Sequence, residues 1–238
     1  MAKSKKAKFS LSFAAFICFL VALALTVLLR AFKDESFLLW YGKYTDTLLY
    51  YEQWMQTYGA TWISALLILA NYVLKALLPW FPISCICFVS GVLFKWYYAM
   101  LINVAGLAIL FTIKYFWGKR FGAGNAEKIL AKSSRVSELI DSGKLGSNIV
   151  LFGLRFSPIV PINSVSCIYG TTDIRYPQYI IVSLAGFSYK LFSYTLIGRS
   201  VFDPASASFI VPFIVLFVLT GLVLLFLSAT NVRSDQIQ

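Results

Sequence analysis

Two cations stand inside otherwise apolar sequence, and their chemistry needs an explanation first. Arg155 precedes Phe156-Ser157-Pro158, and Lys190 falls well inside the apolar run Tyr176–Ile197. A guanidinium keeps its charge and presents a planar fork matched to phosphate or carboxylate, so a buried arginine calls for an anion or for a set of placed acceptors. No Asp or Glu lies in the apolar runs. Two occupants stay open for the place opposite Arg155: a ligand phosphate, or carbonyls freed where Pro158 breaks a helix. Asn163 adds neutral hydrogen-bonding capacity nearby, giving Arg155, Lys190 and Asn163 as the candidate substrate-binding set, while Asn103 reads as a packing residue. Lys75, Lys95 and Lys114 lie near segment ends, from which a lysine stem can snorkel to the membrane surface.

Other chemistry is poorly supplied. The chain has no histidine, and no carboxylate pair in an apolar segment, so metal, general-base and triad arrangements lack their parts. Cys18, Cys85, Cys87 and Cys167 all lie in apolar segments without a Cys-x-x-Cys pair and read as small hydrophobes. No catalytic residue, metal or cofactor is expected, and the chain does not read as an enzyme. The net charge of +11, from 21 Lys+Arg against 10 Asp+Glu, would raise nucleic acid as a partner of a soluble domain. Here the cations border apolar spans, where anionic headgroups are the simpler counterpart. The expected partners are therefore anionic membrane lipids and not nucleic acid, with a homo-oligomer left open.

The elements that position these residues are membrane helices. Of 238 residues, 59% are hydrophobic and 13% charged, against about 25% charged in soluble domains. The apolar residues gather in runs near the roughly 20 residues that cross a bilayer as a helix: Phe9–Leu29, Thr61–Leu78, Tyr97–Trp117, Tyr176–Ile197 and Phe209–Ser228. The fold class expected is an all-α, polytopic membrane bundle. Lys3, Lys5, Lys6 and Lys8 precede the first run, which is too long for a cleaved leader and is closed by Arg30, so it reads as an uncleaved span. Asp34–Tyr58 is rich in Tyr and Trp and fits either a helix lying along the headgroup zone or an extramembrane loop.

Phe81–Trp117 is too long for one crossing and too short for two. A re-entrant hairpin over Phe81–Lys95, entered at Pro79 and Pro82 and reversing near Gly91, followed by a span, fits that length. The punctuation recurs about 80 residues later, where Pro158-x-x-Pro161 answers Pro79-x-x-Pro82. Nine residues separate Pro82 from Gly91 and Pro161 from Gly170; Gly106 and Gly186 follow after 15 and 16, and Gly118 and Gly198 after 12 more. Lys95-Trp96 matches Arg175-Tyr176, and Lys119 matches Arg199. A unit of one hairpin and one span ends on the opposite face from its start, so two copies make an inverted repeat with hairpins dipping toward each other. The halves expected are about 79–119 and 158–199, joined by an amphipathic connector over 122–147 that suits either the membrane surface or water. The domain reading is 1–57 for the first span and interfacial segment, 58–201 for the repeat, and 202–238 for the last span and tail. The positive-inside rule puts the basic N-terminus and the basic connector on one side. Three crossings counted between them contradict this, with the Phe9–Trp62 region the suspect.

The block Leu154-Arg155-Phe156-Ser157-Pro158-Ile159-Val160-Pro161, followed by Gly170, Gly186 and Gly198, resembles the VTT domain of the DedA and SNARE-associated Golgi protein superfamily. Pro82, Gly91-Val92-Leu93-Phe94, Asn103 and Gly106 resemble its first half. With one leading and one trailing span, the layout is similar to bacterial relatives of the yeast vacuolar and Golgi trafficking member. The resemblance implies a bacterial plasma-membrane protein that translocates or scrambles anionic lipids or lipid-phosphate carriers, supporting envelope homeostasis, with Arg155 in its motif. Transport of a soluble anion and a non-transporting assembly role are the alternatives. Some relatives carry membrane-embedded acids in the first half; this chain has Lys75 and Lys95 there, with Asp46 and Glu52 in the interfacial stretch.

Overall fold

The computed structural model describes residues 2–32, 35–78, 81–122, 147–157 and 160–234. Among these residues the protein is all-helical, with nine helices and no strand. They are α1 (Ala2–Ala31), α2 (Glu35–Tyr58), α3 (Trp62–Leu77), α4 (Ile83–Leu93), α5 (Trp96–Phe121), α6 (Asn148–Phe156), α7 (Ile162–Gly170), α8 (Tyr176–Arg199) and α9 (Ala207–Ser234). Pro79, Pro158 and residues 123–146, which carry most of the expected connector, lie outside the described residues.

Among the described residues four helices are long and apolar enough to cross a membrane, over Leu11–Ala31, Trp96–Phe121, Tyr176–Arg199 and Ala207–Phe226. The expected span at Thr61–Leu78 is not among them. At 16 residues α3 reaches about 24 Å, short of a hydrocarbon core of about 30 Å. It qualifies as a fifth span only together with the end of α2, from which it is bent by 88°. Thr61 forms its N-cap, the hydroxyl accepting from the Ser64 amide at 3.2 Å. Its C-cap, Leu78, is extended, the conformation that a following proline imposes.

The segment Phe81–Lys95 departs from expectation as well. It contains a single helix, α4, that runs through Gly91 without reversing. Among the described residues only Gly122 has a positive φ, at 76°. The break falls instead at Phe94, which is extended, and Lys95, which caps α5 outside the helical region. Gly170 likewise ends α7 without a left-handed turn.

Helices α5 and α8 form the centre and run antiparallel. Asn103 meets Thr195, Phe111 meets Phe187 with centroids 6.4 Å apart, and Tyr115 meets Tyr179 at 4.7 Å. Each long helix receives the short helix of the other half, α4 on α8 and α7 on α5, and also the helix that leads into its own half, α3 on α5 and α6 on α8. Helix α1 packs on α9, and α9 on α8.

The repeated glycines mark these crossings. A Cβ on Gly91 would strike the Thr195 carbonyl, and one on Gly170 the Tyr115 carbonyl. A Cβ on Gly198 would strike the Phe88 carbonyl, and one on Gly118 that of Cys167. The partners Tyr115 and Thr195 are 80 positions apart, and Phe88 and Cys167 are 79 apart. Gly106 gives way to the Tyr72 ring of α3, and Gly186 to Arg155 and Phe152 of α6. The contacts thus recur with the halves exchanged. They extend the correspondence upstream of both proline pairs to α3 and α6.

Candidate functional site

Helix α6 stops because Ser157 is extended ahead of Pro158, and α7 restarts after Pro161. The final carbonyls of α6 therefore lack helical partners. Two adjacent side chains of α8 take them up. Lys190 donates from Nζ to the Arg155 carbonyl at 3.1 Å and to the Ser157 carbonyl at 2.8 Å, and Tyr189 donates to the Phe156 carbonyl at 2.8 Å. A cation at a helix C-terminus is favoured by the backbone dipoles there. Lys190 caps α6.

Arg155 leaves α6 at its last turn and is the largest fully buried side chain among the described residues, 1% exposed. Nε donates to Ser183 Oγ at 3.2 Å and Nη1 to the Ile162 carbonyl at 2.9 Å. Nη2 donates to Ser166 Oγ at 2.7 Å and Tyr179 Oη at 2.9 Å. The guanidinium carbon sits 4.1 Å from the Phe111 ring centroid, a cation–π distance. Among the described residues every acceptor is neutral. One carbonyl, three hydroxyls and a ring face hold the cation, so carbonyls supply only part of its shell and no phosphate is needed to complete the fork in this conformation.

Asn163 points elsewhere than Arg155. Its Nδ2 donates to the Lys75 carbonyl at 3.3 Å, tying α7 to α3, and its buried Oδ1 has no partner among the described residues. The buried hydroxyl of Tyr169, stacked 6.3 Å from Tyr179, also has none. The structure thus joins Arg155 to Lys190 through the end of α6 and sets Asn163 at a separate crossing.

The first half holds a neutral counterpart. Tyr72 donates to Asn103 Oδ1 at 3.0 Å and lies 3.3 Å from Cys87 Sγ. Asn103 donates to Thr195 Oγ1 at 2.9 Å and to Ser90 Oγ. Each polar core borrows from the other half, Thr195 in one case and Phe111 in the other. Sequence reasoning missed Ser90, Ser166, Tyr72, Tyr179, Ser183 and Thr195. One signal was present: Asn103 and Ser183 each stand three residues before a matched glycine.

A family profile described as the VTT domain matches residues 81–200, from just before α4 to the end of α8. Neither a search of curated proteins nor one of solved structures gave a match.

Proposed function

Because the chain belongs to the VTT-domain family, half of it being covered by that family's profile, we propose that it moves anionic lipids or lipid-phosphate carriers between the leaflets of a bacterial plasma membrane. The observation that carries this reading is Arg155: a buried guanidinium at a helix break, held only by neutral acceptors among the described residues. Its desolvation has already been met by the fold. Hydroxyl acceptors exchange more readily than a carboxylate would, and a phosphate makes the stronger charge-assisted bonds. The buried arrangement is the closed state of the path, and a headgroup displaces Ser166 and Tyr179 as it passes.

In this reading α3–α4 and α6–α7 are the two re-entrant hairpins and α5 and α8 the spans of an inverted repeat. The crossings are then α1, α5, α8 and α9. Two of them separate the basic N-terminus from the basic stretch after α5, so both stand on the same side, as the positive-inside rule requires. The bond from Tyr41 Oη to Asp203 Oδ1, 3.0 Å long, supports this, since it joins α2 to the α8–α9 turn on the opposite side.

The test is redistribution of a fluorescent anionic lipid between leaflets of proteoliposomes at matched protein density. Charge-assisted bonds contribute about 1.5–3 kcal/mol, so Arg155→Ala slows a path whose barrier they lower roughly ten- to hundredfold. Arg155→Lys keeps the charge without the fork and falls between. No redistribution above empty liposomes, with or without a proton gradient, would sink autonomous translocation. Normal rates from folded Arg155→Ala would sink the site.

A further inference from the structure

A second polar feature lies far from Arg155, where the bend between α2 and α3 meets the break between α4 and α5. A groove of about 460 Å³ opens there, lined in part by Gln56, Thr61, Trp62, Phe94, Lys95 and Tyr98. That volume lies within the range of small-ligand sites. Helices α3 and α5 both begin at the groove and neither carries an acid in its first turn. Lys95 is exposed, and its ammonium makes no hydrogen bond or ion pair among the described residues. The neighbouring Gln56 is turned to Glu52, donating to its Oε1 at 3.0 Å.

The surroundings identify the class of ligand. Trp62 is 74% exposed, and Tyr58, Trp96, Tyr97 and Tyr98 are also exposed, a set of rings suited to headgroup depth. One turn deeper, Leu66 on α3 and Leu101 on α5 are exposed as well. A cation, amphipathic rings and an apolar wall below them match, in order, a phosphate, a glycerol backbone and acyl chains. The corresponding junction between α7 and α8 has Asp173 two residues before Arg175, an acid that the groove's own junction lacks between Phe94 and Trp96.

We propose that this groove binds the headgroup of an anionic phospholipid from one leaflet, with Lys95 as its charge partner. The ligand's identity rests on the lipid reading above; the groove and its charge do not. The test uses the full-length protein in phosphatidylcholine vesicles with phosphatidylglycerol and phosphatidylcholine probes that carry a photoreactive group near the glycerol. The expected result is about fivefold more adduct from the phosphatidylglycerol probe on residues 56–62 and 95–98, the factor one lysine near an anionic headgroup supplies. Lys95→Ala removes that excess and Lys95→Arg keeps it, and the exposed position leaves the fold intact. Unlabelled phosphatidylglycerol competes, whereas millimolar inorganic phosphate does not. Equal labelling by both probes, an excess that survives Lys95→Ala, or competition by inorganic phosphate would each overturn the proposal. Labelling needs no transfer between leaflets. A protein that labels here yet redistributes nothing therefore keeps the groove and loses the translocation reading, and one that redistributes lipid without the Lys95-dependent excess does the reverse.

Discussion

Lys190 shows how a charged residue inside a span can be structural in the state described. Its two acceptors are carbonyls at the helix end before Pro158, and removing the donor from a buried carbonyl costs about 1–3 kcal/mol. Lys190→Met keeps the stem and volume but withdraws the ammonium donor from both carbonyls. It should lower the thermal unfolding midpoint in detergent by several degrees, whereas Lys190→Arg should recover part of the loss. An unchanged midpoint for Lys190→Met would show that the cap contributes nothing. The need for a partner at Arg155 was legible from residue type, because an apolar run without acids leaves a guanidinium nothing ionic to meet. Its actual partners were not legible. They come from α7, α8 and α5, at positions from Phe111 to Ser183, and three-dimensional closure alone brings those segments together.

Among the elements, glycine spacing proved the most informative signal, though for a different reason than reversal of the chain. The matched glycines were legible as a repeat because their intervals recur, yet sequence does not distinguish a glycine that turns the backbone from one that admits a neighbour. Gly91 lies inside α4 with another helix's carbonyl against it. Alanine at Gly91, Gly118, Gly170 or Gly198 must push two helices apart, and overpacking of that kind costs about 1–3 kcal/mol. Gly153 sits in α6 with nothing near its Cβ direction among the described residues; alanine there should leave stability unchanged or raise it by up to about 1 kcal/mol. Thermal unfolding of the five single variants separates the outcomes, and a Gly91→Ala protein as stable as Gly153→Ala would contradict the packing described. The length of α3 escaped the sequence for a related reason. Hydropathy continues through Thr61–Leu78, but Thr61 caps the helix late and the coming Pro79 ends it early.

At the scale of the whole molecule, the four crossings proposed above place the turns on predictable sides. In a cysteine-free background, single cysteines at Thr61 and Ser206 should react with an impermeant thiol reagent from one face of sealed vesicles, and one at Ser147 from the other. Reaction of Thr61 and Ser147 from the same face would remove the inverted arrangement. The exchange of contacts between halves has a further consequence for assembly. Because α4 seats on α8 and α7 on α5, and because each polar core needs a side chain from across the molecule, neither half is a folding unit. A fragment ending at Gly122 or one beginning at Ser147 should be degraded when produced alone. Co-produced, the two fragments should find each other and complement the severed chain, as two strangers sharing one interior.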